Sequence, residues 1–160
     1  ADLVSGREVI LKEGLLSNAI MASCAIPGIF PPVKWKEKTL VDGGIVNAVP
    51  IALTRKMGAD FVIASDISLH PKKKTEYHNA IDILLRSEQI TSRTLREIQL
   101  SNADFILSPE MKHIDWWNFS KPELCRLTGL KAVESKKKDL QIKLKQKIRQ
   151  KYWKKIWFKF

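Results

Sequence analysis

Cysteine is scarce in this 160-residue sequence: Cys24 and Cys125 are the only two, about a hundred positions apart. That excludes a disulfide framework and a C-x-x-C metal pattern, and both thiols are expected to be buried or half-buried, as suits a reducing compartment. No apolar run nears the ~20 residues that span a bilayer. The sequence begins at Ala1 without a basic n-region or an apolar h-region, so no signal peptide is read. A truncated start explains that as well as a cytoplasmic protein does, which leaves a location in the cytoplasm or at the periphery of a membrane. His70, His78 and His113 lack Cys or carboxylate companions at i+3 or i+4, so they are read as surface or loop histidines and no metal is expected.

Acidic residues are nearly missing from the C-terminal end. Residues 136–160 carry eleven Lys/Arg against Asp139 alone, whereas residues 1–135 hold seventeen basic and sixteen acidic side chains. The net charge of +11 is therefore a property of the tail, on a nearly neutral body. With 44% hydrophobic residues, the body is globular rather than disordered. Two segments are expected: a domain over residues 1–135 and a basic, aromatic-rich helical tail over residues 136–160.

Along the body, Glu8–Leu11 reads as a strand and residues 18–25 as a helix of small and apolar residues that stops before Pro27-Gly28. Val33-Lys34-Trp35 and Thr39-Leu40-Val41 flank the polar Lys36-Glu37-Lys38, which predicts a hairpin. Pro50 suits the start of a helix over residues 51–57, with Gly58 as its C-terminal cap. Phe61–Ala64 and Phe105–Leu107 are short, continuously apolar runs, expected as strands covered on both faces. Residues 66–74 read as a solvated loop, and residues 79–100 as a helix with Ile81, Leu84, Leu85, Leu95 and Ile98 on its apolar side. A last helix is expected from Pro122 to about Val133, beyond Trp116-Trp117, broken or capped near Gly129. Strand, helix and strand in this order imply an α/β fold with a parallel sheet.

The residue with most chemical promise is Asp42, in Leu40-Val41-Asp42-Gly43-Gly44. A carboxylate at a glycine turn after a strand is placed to act as a base, with Gly43 and Gly44 supporting the loop through positive-φ conformations. The alternative is a turn carboxylate that caps backbone amides. None of the seven glycines opens a G-x-S-x-G nucleophile elbow. Ser23 and Cys24 lie in an Ala-rich helix rather than on an exposed strained turn, so neither is expected to replace a missing nucleophile. Asn47 and Pro50 are read as shaping the loop, and Asp66 as structural.

In order, Asp2-Leu3 with Ser5-Gly6-Arg7, Ala22-Ser23-Cys24-Ala25-Ile26-Pro27-Gly28-Ile29-Phe30-Pro31-Pro32-Val33, Leu40–Gly44, Asn47 with Pro50, and Gly58-Ala59-Asp60 resemble the patatin-like phospholipase family, particularly its bacterial members. The resemblance runs from Asp2 to about Val133. It implies a three-layer α/β/α fold, incomplete at the N-terminus, and a lipid acyl hydrolase using a Ser–Asp dyad without metal or organic cofactor. It makes Asp42 the base of that dyad, while the serine elbow and the glycine-rich oxyanion loop would precede Ala1. The implied substrate is a lipid or other acyl ester, and the chain alone is expected to be inactive. The rival expectation is a catalytically inactive membrane-surface or partner-binding module.

The tail has its own reading. Trp153, Ile156, Trp157 and Phe160 share a helical face among lysines, a pattern suited to an anionic membrane surface. The alternative is a terminal helix packed on the body with its lysines solvated. Nucleic-acid binding ranks last, since no motif accompanies the aromatic and basic residues.

Overall fold

A computed structural model describes residues 1–67, 76–111 and 118–157. Two compact units are interleaved along the chain, one made of Ala1–Pro50 with Asn79–Ser101, the other of Ile51–His78 with Asn102–Phe160.

In the first unit, α1 (Leu16–Ser23) leads to a hairpin of β1 (Val33–Trp35) and β2 (Lys38–Leu40), paired antiparallel with Val33 opposite Leu40. The two-residue turn places Lys36 at φ 52°, a left-handed conformation that costs a side-chain-bearing residue about 1 kcal/mol. Its ammonium reaches Glu13 at 2.6 Å. Gly14, at φ +90°, lies under the Trp35 ring, where a Cβ would come within 2.8 Å of the indole.

Glu8–Leu11 is irregular, against the expected strand. The free edge of β2 is taken by the first residues instead: Asp2 bridges Leu40, Leu3 donates its N–H to the Thr39 carbonyl, and Val41 donates to Ala1. Ala22, Ala25, Leu40, Val41 and Leu100 are buried in this unit. Cys24 caps α1 and is exposed, correcting the expected burial, because its neighbours Ala22 and Ala25 take the inward positions; Cys125 is half-buried as expected. The long helix α4 (Ala80–Leu100) starts on an Asn79 side chain that accepts the Asp82 N–H. Its predicted apolar side stays open, with Ile81, Leu84 and Ile98 all exposed.

In the second unit, α3 (Ile51–Lys56) ends at Gly58, φ +102°. Strands β3 (Ile63–Ser65) and β4 (Phe105–Leu107) pair in parallel, Ile63 opposite Phe105. Phe61–Ala64 is not covered on both faces: Val62 and Ala64 are buried while Ile63 is 48% exposed. The alternation shows one covered face. Helix α5 (Pro122–Trp157) runs without interruption through Gly129 and the boundary between residues 135 and 136, the roughly 1 kcal/mol cost of a mid-helix glycine being small against its length. It packs against β4.

Mixed helices and small sheets make this an α/β chain. The expected loop at residues 66–74 falls largely, and Trp116-Trp117, His70 and His113 fall wholly, outside the described residues. Among the described residues, no helix is long and apolar enough to cross a membrane.

Candidate active site

Asp42 follows β2 directly. Its own N–H donates to the Ala25 carbonyl at 2.9 Å, which fastens the strand end to the Ala22–Pro27 segment. A backbone held on both sides leaves the side chain little freedom of origin. The half-buried carboxylate accepts the Gly44 N–H on Oδ1 at 2.7 Å, and among the described residues its Oδ2 accepts no hydrogen bond.

Gly43 and Gly44 depart from the expected positive φ. Gly43 sits at φ −66°, ψ −18°, and leads into the short helix α2 (Gly44–Asn47). A helical turn lets the first amide of α2 face the preceding carboxylate, an arrangement that also suits a negative charge near a helix start. What Gly44 supplies is space: a Cβ there would lie 3.1 Å from Asp42 Oδ1. Gly43 meets nothing within 4 Å.

The far end of α2 is held by a residue the sequence reading passed over. Gln99, in the last turn of α4, accepts the Val49 N–H on Oε1 at 3.1 Å and donates from Nε2 to the Val46 carbonyl at 3.2 Å. Asn47 donates to Glu8 at 2.5 Å, consistent with a loop-shaping role. No local signal could have linked Gln99 to a loop fifty positions earlier.

Asp2 is the buried carboxylate of this unit, 4% exposed. It accepts the Ser5 hydroxyl at 2.7 Å and the N–H groups of Val4, Ser5 and Thr39 at 3.4, 3.2 and 3.1 Å. The Ser5 hydroxyl above all, then those amides, outweigh the opposing effect of burial and bring its pKa down to about 2. Through these four hydrogen bonds Asp2 organises the turn against β2.

Ser23 ends α1 and Cys24 caps it, so neither stands at a strand-to-helix turn. In the second unit the Asp66 N–H extends the strand pairing to the Leu107 carbonyl. A groove of about 550 Å³ lies between β4 and α5, lined by Asp104, Ile106, Lys136, Asp139 and Lys143 among others. None of the predicted site residues lines it.

The similarity to known proteins falls on the Asp42 region. Residues 3–55 match the model of the patatin-like phospholipases. The matched segment covers about a third of the chain. That segment contains the Ala22–Val33 stretch, Asp42, Gly43 and Gly44, while Gln99 lies beyond it. Over 159 aligned positions the chain is 26% identical to an uncharacterized NTE family protein of Mycobacterium tuberculosis, covering 84% of this chain and 27% of that protein. A second such protein of that species is 39% identical over 67 residues, 42% of this chain and 19% of its own. A lysophospholipase NTE1 of Meyerozyma guilliermondii is 35% identical over 58 residues, covering 36% of this chain and 4% of its own length. The chain thus spans about a quarter or less of the relatives it matches.

Proposed function

We propose that this chain supplies the base of a Ser–Asp dyad in an enzyme that cleaves acyl esters of lipids. The observation that carries the reading is the state of Asp42: one carboxylate oxygen fixed by the Gly44 amide at 2.7 Å, the main chain pinned to Ala25, and the second oxygen left to accept a proton. In the proposed cycle a serine outside this chain attacks the ester carbonyl and passes its proton to Asp42. Collapse of the tetrahedral intermediate expels the alcohol, which takes that proton and leaves an acyl-serine. Water, deprotonated by the same carboxylate, then releases the fatty acid. No metal or organic cofactor takes part, and the chain alone is expected to hydrolyse nothing.

Replacing Asp42 with Asn in the full-length protein tests this. Loss of a general base typically costs 10²–10⁴-fold in rate, so hydrolysis of a lysophospholipid or a p-nitrophenyl ester should fall at least about a hundredfold while the melting temperature holds. Undiminished turnover would refute the assignment. Lipid binding by a wild-type protein that hydrolyses neither ester would favour the inactive binding module.

A second reading concerns α5, and the division of its cations favours it. Lys136 and Lys143 donate to the Ile106 and Asp104 carbonyls, Lys147 to the Asp104 carboxylate and Lys151 to Asp60. Lys143 also lies 5.7 Å from the Phe105 ring centre. These four form one stripe, directed at Asp60 and at Asp104–Ile106 of the same unit. Lys138, Lys145 and Arg149 are exposed, and the 3.6-residue repeat puts them on the opposite side. That outer set is the part of the tail available to an anionic membrane surface; Trp153 and Trp157 lie in the last turns of α5, their side chains outside the described residues. Each cation near such a surface contributes on the order of 1 kcal/mol. Charge reversal of these three should therefore weaken sedimentation with phosphatidylserine-containing vesicles by more than about a hundredfold. Unchanged sedimentation would remove the membrane role.

A further inference from the structure

Helix α2 is four residues long, too short to hold its own geometry from internal hydrogen bonds. Its conformation must come from what grips its two ends. At the start, the Gly44 N–H is spent on Asp42 Oδ1. Just past the end, Gln99 grips both sides of the chain, taking the Val49 N–H and giving an N–H to the Val46 carbonyl. Both bonds are partly buried, and Gln99 sits immediately before Leu100, which is 8% exposed and anchors the C-terminal turn of α4 in the core. An amide side chain suits the pair, because it offers a donor and an acceptor at once.

From this geometry we infer that Gln99 is a positioning residue for Asp42: it clamps the far end of α2 and thereby holds the Gly44 amide against the carboxylate. The bonds form one connected path, from Leu100 in the core through Gln99 to Val46 and Val49, along a single helical turn to Gly44, and so to Asp42. Fixing the carboxylate in this way would matter to chemistry rather than to substrate binding, since a displaced base slows proton transfer in the transition state. The catalytic consequence rests on the reading of Asp42 as a base; the clamp itself does not.

Two substitutions in the full-length protein test it. Gln99→Met keeps the volume and removes both polar groups, while Gln99→Glu keeps an acceptor and regains the donor only when protonated. Hydrogen–deuterium exchange is followed at Val49 and at Gly44, alongside kcat and KM for a lysophospholipid. With Gln99→Met, exchange should rise roughly tenfold at both amides, the size expected for losing about one hydrogen bond. The same variant should lower kcat by a similar factor and leave KM within about twofold. In Gln99→Glu, activity relative to wild type should recover as the pH is lowered and the carboxyl regains its proton, a response that a purely structural role does not produce. Faster exchange at Val49 with none at Gly44 would overturn the inference, as would an unchanged kcat for Gln99→Met in a protein that Asp42→Asn inactivates. If Asp42→Asn leaves turnover intact, the base assignment falls while the exchange at Gly44 still decides the clamp. Should Gln99→Met fail to fold, wild-type protein in low urea decides: one shared opening, with equal urea dependence at Val49 and Gly44, is required, and separate openings refute it.

Discussion

Gly44→Ala is the sharpest perturbation of the candidate site, and Gly43→Ala is its control. A Cβ at position 44 would stand 3.1 Å from Asp42 Oδ1, closer than ordinary contact, whereas one at position 43 meets nothing within 4 Å among the described residues. Neither glycine has a positive φ, so neither substitution strains the backbone. Both should gain up to about 0.5–1 kcal/mol of stability, because alanine loses less conformational entropy on folding than glycine. The difference lies in the carboxylate. To relieve the contact it must retreat by a few tenths of an ångström, stretching a 2.7 Å bond to the Gly44 amide. Weakening a charge-assisted bond of that kind costs roughly 1 kcal/mol, about a fivefold change in rate. Misplacing the base adds to this, since a whole ångström is worth about a hundredfold. Gly44→Ala should therefore lower kcat about five- to tenfold, with KM nearly unchanged and the melting temperature equal or higher. Gly43→Ala should keep its activity. The assay is steady-state hydrolysis of a lysophospholipid by the full-length variants beside their thermal unfolding. Equal activity of the two variants would refute the reasoning, and so would a loss at position 44 that merely follows a loss of stability.

Two predictions address what holds each unit together internally. Asp104, its side chain 15% exposed, accepts from the Val62 amide and Arg55 at 2.8 Å and from Lys147 at 3.0 Å. Burial pushes its pKa up, but the Val62 amide, Lys147 and Arg55 together bring it below the usual carboxylate value. Asp104→Ala orphans the buried Val62 N–H and should destabilise the second unit by about 2–3 kcal/mol, Asp104→Asn by about 1, since the half-exposed cations contribute little. Urea unfolding read through amide exchange in β3 and β4 checks this, and two equally mild variants would contradict it. Asp2 titrates at about 2 in the folded chain against an ordinary 3.8, so its contribution is complete above that ordinary value and disappears as the pH falls through 2. The melting-temperature gap between wild type and Asp2→Asn should be constant from about pH 7 to pH 5 and close towards pH 2; a gap independent of pH would show that the carboxylate's charge does not act there.

Much of the local architecture was legible because its causes are local. The polar Lys36–Lys38 between apolar triplets specified the hairpin, Asn79 marked the start of α4, and Gly58 ended α3 with the positive φ its position calls for. The parallel pair β3–β4 followed from two short apolar runs separated by a helix. Expectations failed where distant groups compete. Glu8–Leu11 has the composition of a strand, yet the β2 edge it would need is occupied by residues 1–3. Gly43 and Gly44 look like a left-handed turn in isolation, and instead begin a helix whose amide the adjacent carboxylate holds.

The sequence alone determined which residues make up the candidate site, because motif order and residue type are written along the chain: a carboxylate after a strand, two glycines behind it, and the Ala22–Val33 segment ahead. Tertiary structure alone decided how that carboxylate is held and where the tail's charge goes. Gln99 meets Val46 and Val49 only once α4 has packed against α2, and one stripe of α5 lysines is spent on β4, Asp104 and Asp60 while the other faces outward. A sequence records which groups can donate and accept, and folding settles which of them meet.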